Sequence, residues 1–454
     1  MKKALSLLGI ISILFLSSCG RLFKPESTAT ATVTATAIPT RTAVPTATVT
    51  PTITPTATPQ IENRISGLNL GTHLNDSPET GTNIAEEDLR ALIERISPYT
   101  HWIRTYSVQG GLENAGSIAH EFGLKFAATA WLSSNLVENA SQMEALIELA
   151  KTGAVDLAII GNETLLRGDL TARELMIYID WFKKAVPDVP VTTTDVWSEL
   201  EKYPGLFSVM DVVAVNVYPY WDGVAVDEAV NAIENWYFKA MEKVNTPASR
   251  KEIIIAETGW PSCGENGDAA SQAAFFNDFV SFAQQMDIQY FWFDAYDEQW
   301  KVKDEGEAGA CWGVWDGEGQ MKPGMEKTFE GVFEENTRSS KIKITYVPPM
   351  DSTGKLEGYA LNVNPDDYRV VVYIYVPNAK GWWIKPEFRN PYTYIEDDGY
   401  WSTSIFTGGL DKQATRVAAY LIPRDYAPPA AAGWSSLPLE LISESVARDE
   451  EYRF

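Results

Sequence analysis

The chain has 454 residues, of which 45% are hydrophobic and 12% aromatic, with a formal net charge of −24. It can hold more than one domain and bury a large core, while its carboxylate excess argues against nucleic acid and anionic lipid as partners. A neutral ligand fits better, and 15 Trp with 20 Tyr suit one with apolar faces, such as a sugar.

The chain opens with Lys2 and Lys3, followed by an apolar run from Ala4 to Leu16. That run is short for a bilayer span and suits a secretory signal. Its ending, Leu16-Ser17-Ser18-Cys19-Gly20, resembles a bacterial lipobox, in which the cysteine is lipidated and becomes the mature N-terminus. The reading is therefore a lipoprotein signal over 1–19 with lipidation at Cys19. The protein would sit at the cell surface, held to the membrane by acyl chains without crossing it. Residues 20–62 read as a linker: positions 27–59 hold 14 Thr and 5 Pro and one charge, Arg41. Such a segment buries too little apolar surface to offset its ordering entropy and is expected as an extended, disordered tether.

From Ile61 apolar runs alternate with amphipathic ones. Predicted strands cover 66–72, 102–107, 125–131, 156–161, 189–195, 212–218, 252–258 and 289–295. Helix-like stretches between them include 86–96, 141–152, 172–186 and 269–285. Eight strands alternating with helices predict an α/β fold, a (β/α)8 TIM barrel over 63–335. After Gly331 short aromatic-rich strands follow without helices, at 341–347, 369–376, 400–406 and 416–422. They predict a small all-β sandwich over 340–428, and 429–454 reads as an acidic tail or short helix.

With Cys19 assigned, Cys263 and Cys311 remain, and two thiols in an oxidising compartment read as a disulfide. The histidines, His73, His101 and His120, lack metal-ligand spacing, and no nucleophile elbow, phosphate loop or dinucleotide fingerprint occurs. No metal and no cofactor are expected, and a monomer is.

Ligands of such a barrel meet the C-terminal ends of its strands. Strand four ends Gly161-Asn162-Glu163, and strand seven ends Ala256-Glu257-Thr258-Gly259-Trp260-Pro261. Each places a carboxylate just past an apolar run, where it is costly without a partner or a purpose. Either alone could be a salt bridge; the pair, on two strands of one barrel, points to chemistry.

These strings resemble the retaining barrel glycosidases, and more narrowly glycoside hydrolase family 17, the β-1,3-glucanases. Gly67-Leu68-Asn69-Leu70-Gly71, Arg104-Thr105-Tyr106, Asn216-Val217-Tyr218-Pro219-Tyr220 and the stretch from Phe291 to Lys301 match in the same order, followed by Trp312-Gly313. The resemblance covers about 65–333. It implies a retaining glycoside hydrolase acting on β-1,3-glucan, polymer or oligosaccharide. Glu163 would be the general acid, Glu257 the nucleophile, and the two carboxyl groups roughly 5–5.5 Å apart. Asn162 would reach the sugar 2-hydroxyl, with Arg104, Tyr106, Asn216, Tyr218 and Trp260 around the substrate. Glu298 and Lys301 match a supporting pair that binds sugar hydroxyls. Glu305 and Glu307 both compete for a further family carboxylate. Trp131, Trp197, Tyr296 and Trp300 can stack on sugar rings or pack loops. In the second domain Trp382-Trp383, Tyr392 and Tyr400-Trp401 make either a carbohydrate-binding surface or a packed core. Two alternatives stay open: a β-1,3-glucan transglycosylase, and a non-catalytic glycan-binding surface lipoprotein.

Overall fold

A computed structural model describes residues 63–454, apart from 75, 81–82, 245–250, 332–338 and 398. The expected signal, Cys19 and the tether lie outside the described residues.

Eight parallel strands close into a barrel in sequential order. They are β1 (Ile65–Asn69), β2 (Thr100–Thr105), β3 (Lys125–Ala130), β4 (Leu157–Asn162), β5 (Val191–Val196), β6 (Val213–Asn216), β7 (Ile253–Thr258) and β8 (Tyr290–Trp292). Between them run α1 (Glu86–Ile96), α2 (Ala115–Glu121), α3 (Leu136–Lys151), α4 (Ala172–Ala185), α5 (Trp197–Leu200), α6 (Pro204–Val209), α7 (Ala229–Val244) and α8 (Ala269–Gln285). Every residue of β4, β6 and β7 is buried, as strands covered on both faces require. One set of side chains, Ala127, Leu157, Ile159, Ala214, Ile254, Ala256 and Phe291, fills the barrel interior. Their strand neighbours, such as Ala158, Ile160, Val215 and Ile255, pack outward with the helices.

The second unit is a sandwich of β9 (Lys341–Tyr346), β10 (Lys355–Leu361), β11 (Tyr368–Val376), β12 (Gly381–Lys385), β13 (Tyr392–Thr393), β14 (Tyr400–Ser404), β15 (Arg416–Pro423), β16 (Ala432–Trp434) and β17 (Ala447–Tyr452). A three-stranded sheet, β14-β10-β9, faces a six-stranded one with the order β16-β12-β11-β15-β17 and β13 beside β11.

Residues 429–454 carry the short helix of that expectation but are otherwise built into the sandwich and not a tail. They supply β16, the short helix Leu439–Glu444 and β17, which pairs antiparallel with β15 along six positions. The charged sequence of β17 suits an edge strand: its backbone pairs with β15, while Asp449 accepts from Ile344 N at 2.8 Å and Glu450 pairs with Arg416. Trp401 lies in the core between the sheets, and Trp382 is buried on the opposite face of the larger sheet under Leu441. Both rings are thereby spent on packing. Tyr359 and Leu361 of β10 join the barrel's own core.

Candidate active site

The strand pleat alone points Asn162 and Glu257 the wrong way. On β7, Ile254 and Ala256 face the interior, so strict alternation would send Glu257 toward the helices. The register shifts there, pairing Val215 with Ile255 but Asn216 with Glu257, so β7 carries one extra residue and Glu257 turns into the barrel mouth. β4 does the same: Ile159 pairs with Thr192, but Asn162 with Thr194. Two β-bulges at the C-terminal rim thus re-aim Asn162 and Glu257. Gly161, at φ 78°, accommodates the bend, since a Cβ there would lie 2.8 Å from Thr164.

The result is a polar layer above the apolar plug. Arg104 is fully buried and donates to Glu257 Oε1 at 2.9 Å, to Asn162 Oδ1 at 2.7 Å and to Asn69 Oδ1 at 3.2 Å. Tyr218 donates its hydroxyl to Glu257 Oε2 at 3.0 Å. Asn216 donates to Glu163 Oε1 at 2.8 Å and accepts from Thr194 Oγ1 at 2.7 Å. Tyr106 packs against the Arg104 guanidinium, 4.7 Å from its ring centroid, and among the described residues its buried hydroxyl has no hydrogen-bond partner.

The two carboxylates therefore live in different surroundings. Glu257 is held by a guanidinium and a phenol. Among the described residues the Glu163 carboxyl accepts from one side chain, the amide of Asn216. Burial, and then the charge of Glu257, push it up to about 7, while Asn216 opposes the shift. A carboxyl pushed up to about 7 by burial thus faces one held by a guanidinium and a phenol, the asymmetry an acid–nucleophile pair needs.

Both open into a cleft of about 590 Å³, walled by Trp197, Trp221, Trp236, Phe293 and Trp312. Trp221 and Phe293 were not singled out from the sequence, although both sit inside or beside the motif strings. Glu305 settles the earlier ambiguity: it lines the cleft and accepts from the Trp312 indole at 2.7 Å, while Glu307 is exposed on the surface. Burial pushes Glu305 up as well.

Trp260 is a correction. By the alternation that follows the bulge it turns outward, and it is buried against Phe275 of α8 and Tyr220, its indole donating to the Asn266 carbonyl at 3.2 Å. Tyr296 is likewise buried, its hydroxyl on Leu92 O. Trp131 stands on the rim, with the Arg167 guanidinium 4.4 Å from its ring centroid.

Glu298 and Lys301 form a buried cluster with Asp294, which the sequence reading did not single out. Lys301 Nζ lies 2.7 Å from Asp294 Oδ2 and 2.8 Å from Glu298 Oε2. Burial works against the Lys301 ammonium, but Asp294 and Glu298 together hold it protonated well above the usual lysine range. Glu298 and Asp294 also accept from the backbone of His73 and Gly71, at 2.7 and 3.0 Å, so the cluster ties the β8 loop to the end of β1. It meets the cleft through Phe293, whose ring centroid is 4.2 Å from Lys301 Nζ. Cys263 and Cys311 are joined, with Cα atoms 5.7 Å apart, and link the loops after β7 and β8.

A closed barrel with two carboxyl groups in different surroundings at the ends of β4 and β7 is the architecture of a barrel glycosidase. Comparison with known proteins agrees: residues 69–313 match the BtgE/BtgC glycoside hydrolase domain, and the chain belongs to that family. It is 32% identical over 231 residues to a probable glucan endo-1,3-β-glucosidase of Aspergillus fumigatus, an alignment covering 43% of this chain and 33% of that protein. The chain thus spans about a third of the length of such curated relatives. It is 24% identical over 288 residues to a glucan 1,3-β-glucosidase of Saccharomyces cerevisiae, covering 58% of this chain and 91% of that one. Among solved structures, the family 17 β-1,3-glucanosyltransferase of Rhizomucor miehei shares the fold at 24% identity with a TM-score of 0.51, over 57% of this chain and 96% of that one.

Proposed function

We propose that this protein is a retaining glycoside hydrolase of β-1,3-glucan. One observation carries the reading: Glu163, pushed up to about 7 by burial and hydrogen-bonded by Asn216, stands beside Glu257, whose two oxygens are occupied by Arg104 and Tyr218. Glu257 attacks the anomeric carbon while Glu163 passes its proton to the departing glycosidic oxygen, leaving a covalent glycosyl-enzyme. Glu163, now ionised, takes a proton from water as it attacks the same carbon, and both carboxyl groups return to their starting states. The substrate class follows from the glucan-directed relatives in the same family. Release of reducing sugar from laminarin tests it. Glu257→Ala is expected to cut turnover by at least about a thousandfold while leaving glucan binding largely intact. Undiminished turnover in that variant would overturn the two-carboxylate assignment. The same glycosyl-enzyme can be intercepted by a sugar hydroxyl, and longer oligosaccharides at high glucan concentration would mark transfer.

The N-terminal reading extends this to the cell surface, with the enzyme tethered by a lipid on Cys19. In cell fractionation, Cys19→Ala should move the protein from the membrane pellet to the soluble fraction.

A further inference from the structure

We propose that Asp195, at the end of β5, is the positioning residue for the general acid: its carboxylate fixes the backbone of the loop that carries Glu163. This rests on the acid role proposed for Glu163 above.

The loop needs such a hold. Glu163 sits at φ 51°, in the left-handed region where a side chain with a Cβ is strained by about 1 kcal/mol or more. Its own N–H donates to Thr194 O at 2.8 Å, the residue just before Asp195. Asp195 then takes the next turn of the loop: Oδ2 accepts from Leu165 N at 2.8 Å and Leu166 N at 3.4 Å, and Oδ1 from its neighbour Val196 N at 2.9 Å. On the far side Arg167 donates to the carbonyls of Asn162 and, at 2.8 Å, Leu132, and pairs with Asp169 at 2.7 Å. The acid is therefore clasped on both sides of its peptide.

Asp195 is 1% exposed, and among the described residues no lysine or arginine pairs with it. A buried carboxylate without a cation is expensive unless its oxygens are well used. Here both oxygens face backbone N–H donors, so an amide in their place would turn an NH2 group onto an N–H. The latch requires an acid, not merely a polar residue of that size. Burial pushes Asp195 up to about 6 against those three donors, and its charge adds to the shift of Glu163. Glu257, by contrast, is held by Arg104 of β2 and by Tyr218 just past β6, and among the described residues no hydrogen bond joins it to Asp195 or Arg167.

Loss of the latch should therefore impair proton donation and spare nucleophilic attack. Laminari-oligosaccharides need the proton to depart; a 2,4-dinitrophenyl β-laminaribioside does not. In Asp195→Asn and Asp195→Ala, kcat/KM, which reports the glycosylation step, is expected to fall about 10- to 100-fold on the oligosaccharide and less than about threefold on the aryl glycoside. Equal losses on both substrates, or no loss on the oligosaccharide in either variant, would overturn the assignment. The near-isosteric Asn variant, checked by circular dichroism, keeps the comparison valid if the Ala variant does not fold. Glu163→Ala is the control for the underlying reading: if it shows no leaving-group dependence, the acid role of Glu163 falls, which is a separate failure from that of Asp195.

Discussion

Glu163 binds its proton more tightly in the fold than in the unfolded chain, and this has two measurable consequences. The first is kinetic: as pH rises through about 7 the acid loses its proton, so kcat/KM on glucan should decline above that pH. The second is thermodynamic. The folded value near 7 lies above the ordinary 4.5, so the native state binds more protons between those values. Stability therefore falls as pH rises from about 4.5 to 7, by up to about 3 kcal/mol for this group, and the cost persists above 7. Glu163→Gln keeps the acceptor for Asn216 and removes the charge. Thermal unfolding at pH 8 should show this variant more stable than the parent by about 1–3 kcal/mol, with the gap closing by pH 4.5. A variant that is less stable at pH 8 would contradict the burial argument.

At the scale of elements, the site depends on how strand ends and loops are fastened. The bulges of β4 and β7 set direction, and the buried Asp294–Lys301–Glu298 cluster fastens the β8 loop to β1. Gly71 belongs to this junction, because a Cβ there would fall 2.5 Å from the Glu298 carboxyl carbon. The Cys263–Cys311 link closes a loop across 48 residues between the rim segments after β7 and β8. Closing a loop of that length restricts the unfolded chain and contributes roughly 2–4 kcal/mol. The paired Ser substitution should lower the unfolding temperature by several degrees in calorimetry. It should leave kcat on glucan within about twofold, since neither sulfur reaches the cleft. A large loss of kcat with unchanged stability would instead make the link a determinant of cleft shape.

At the scale of the whole molecule, the sandwich and barrel are packed through α7. Glu234, 1% exposed, pairs with Lys341 of β9 at 2.8 Å, and the Phe238 ring lies 6.1 Å from Tyr359 of β10. The same helix presents Trp236 to the cleft, edge-on to Trp197. Removing the lysine leaves a buried carboxylate without its charge partner, so Lys341→Ala should cost about 1–3 kcal/mol. Calorimetry should record a lower transition temperature; an unchanged one would show that the apolar contacts alone hold the interface. The buried Trp382 and Trp401 also change how the sandwich reads. Their rings stabilise its cores, so composition alone does not make it a sugar-binding surface.

The sequence by itself determined the barrel, because buried parallel strands such as β4 and β7 are apolar runs that alternate with amphipathic helices, and that alternation is visible without coordinates. It also marked Glu163 and Glu257 as candidates, since a carboxylate straight after such a run stands out by its desolvation cost. Direction was decided only in three dimensions. The period-two pleat of β7 sends Glu257 outward and lets Trp260 pass for a cleft residue, until an extra residue in the strand reverses both. Asp195 and Asp294 were likewise hidden, because each matters through backbone amides or charges supplied by distant segments. The C-terminal strand β17 was hidden for a related reason: an edge strand is held by main-chain hydrogen bonds, which every sequence carries and none displays. The two carboxylates could be found by reading along the chain, but their unequal surroundings depend on Arg104, Tyr218 and Asn216 converging from separate segments, and only the closed barrel brings them together.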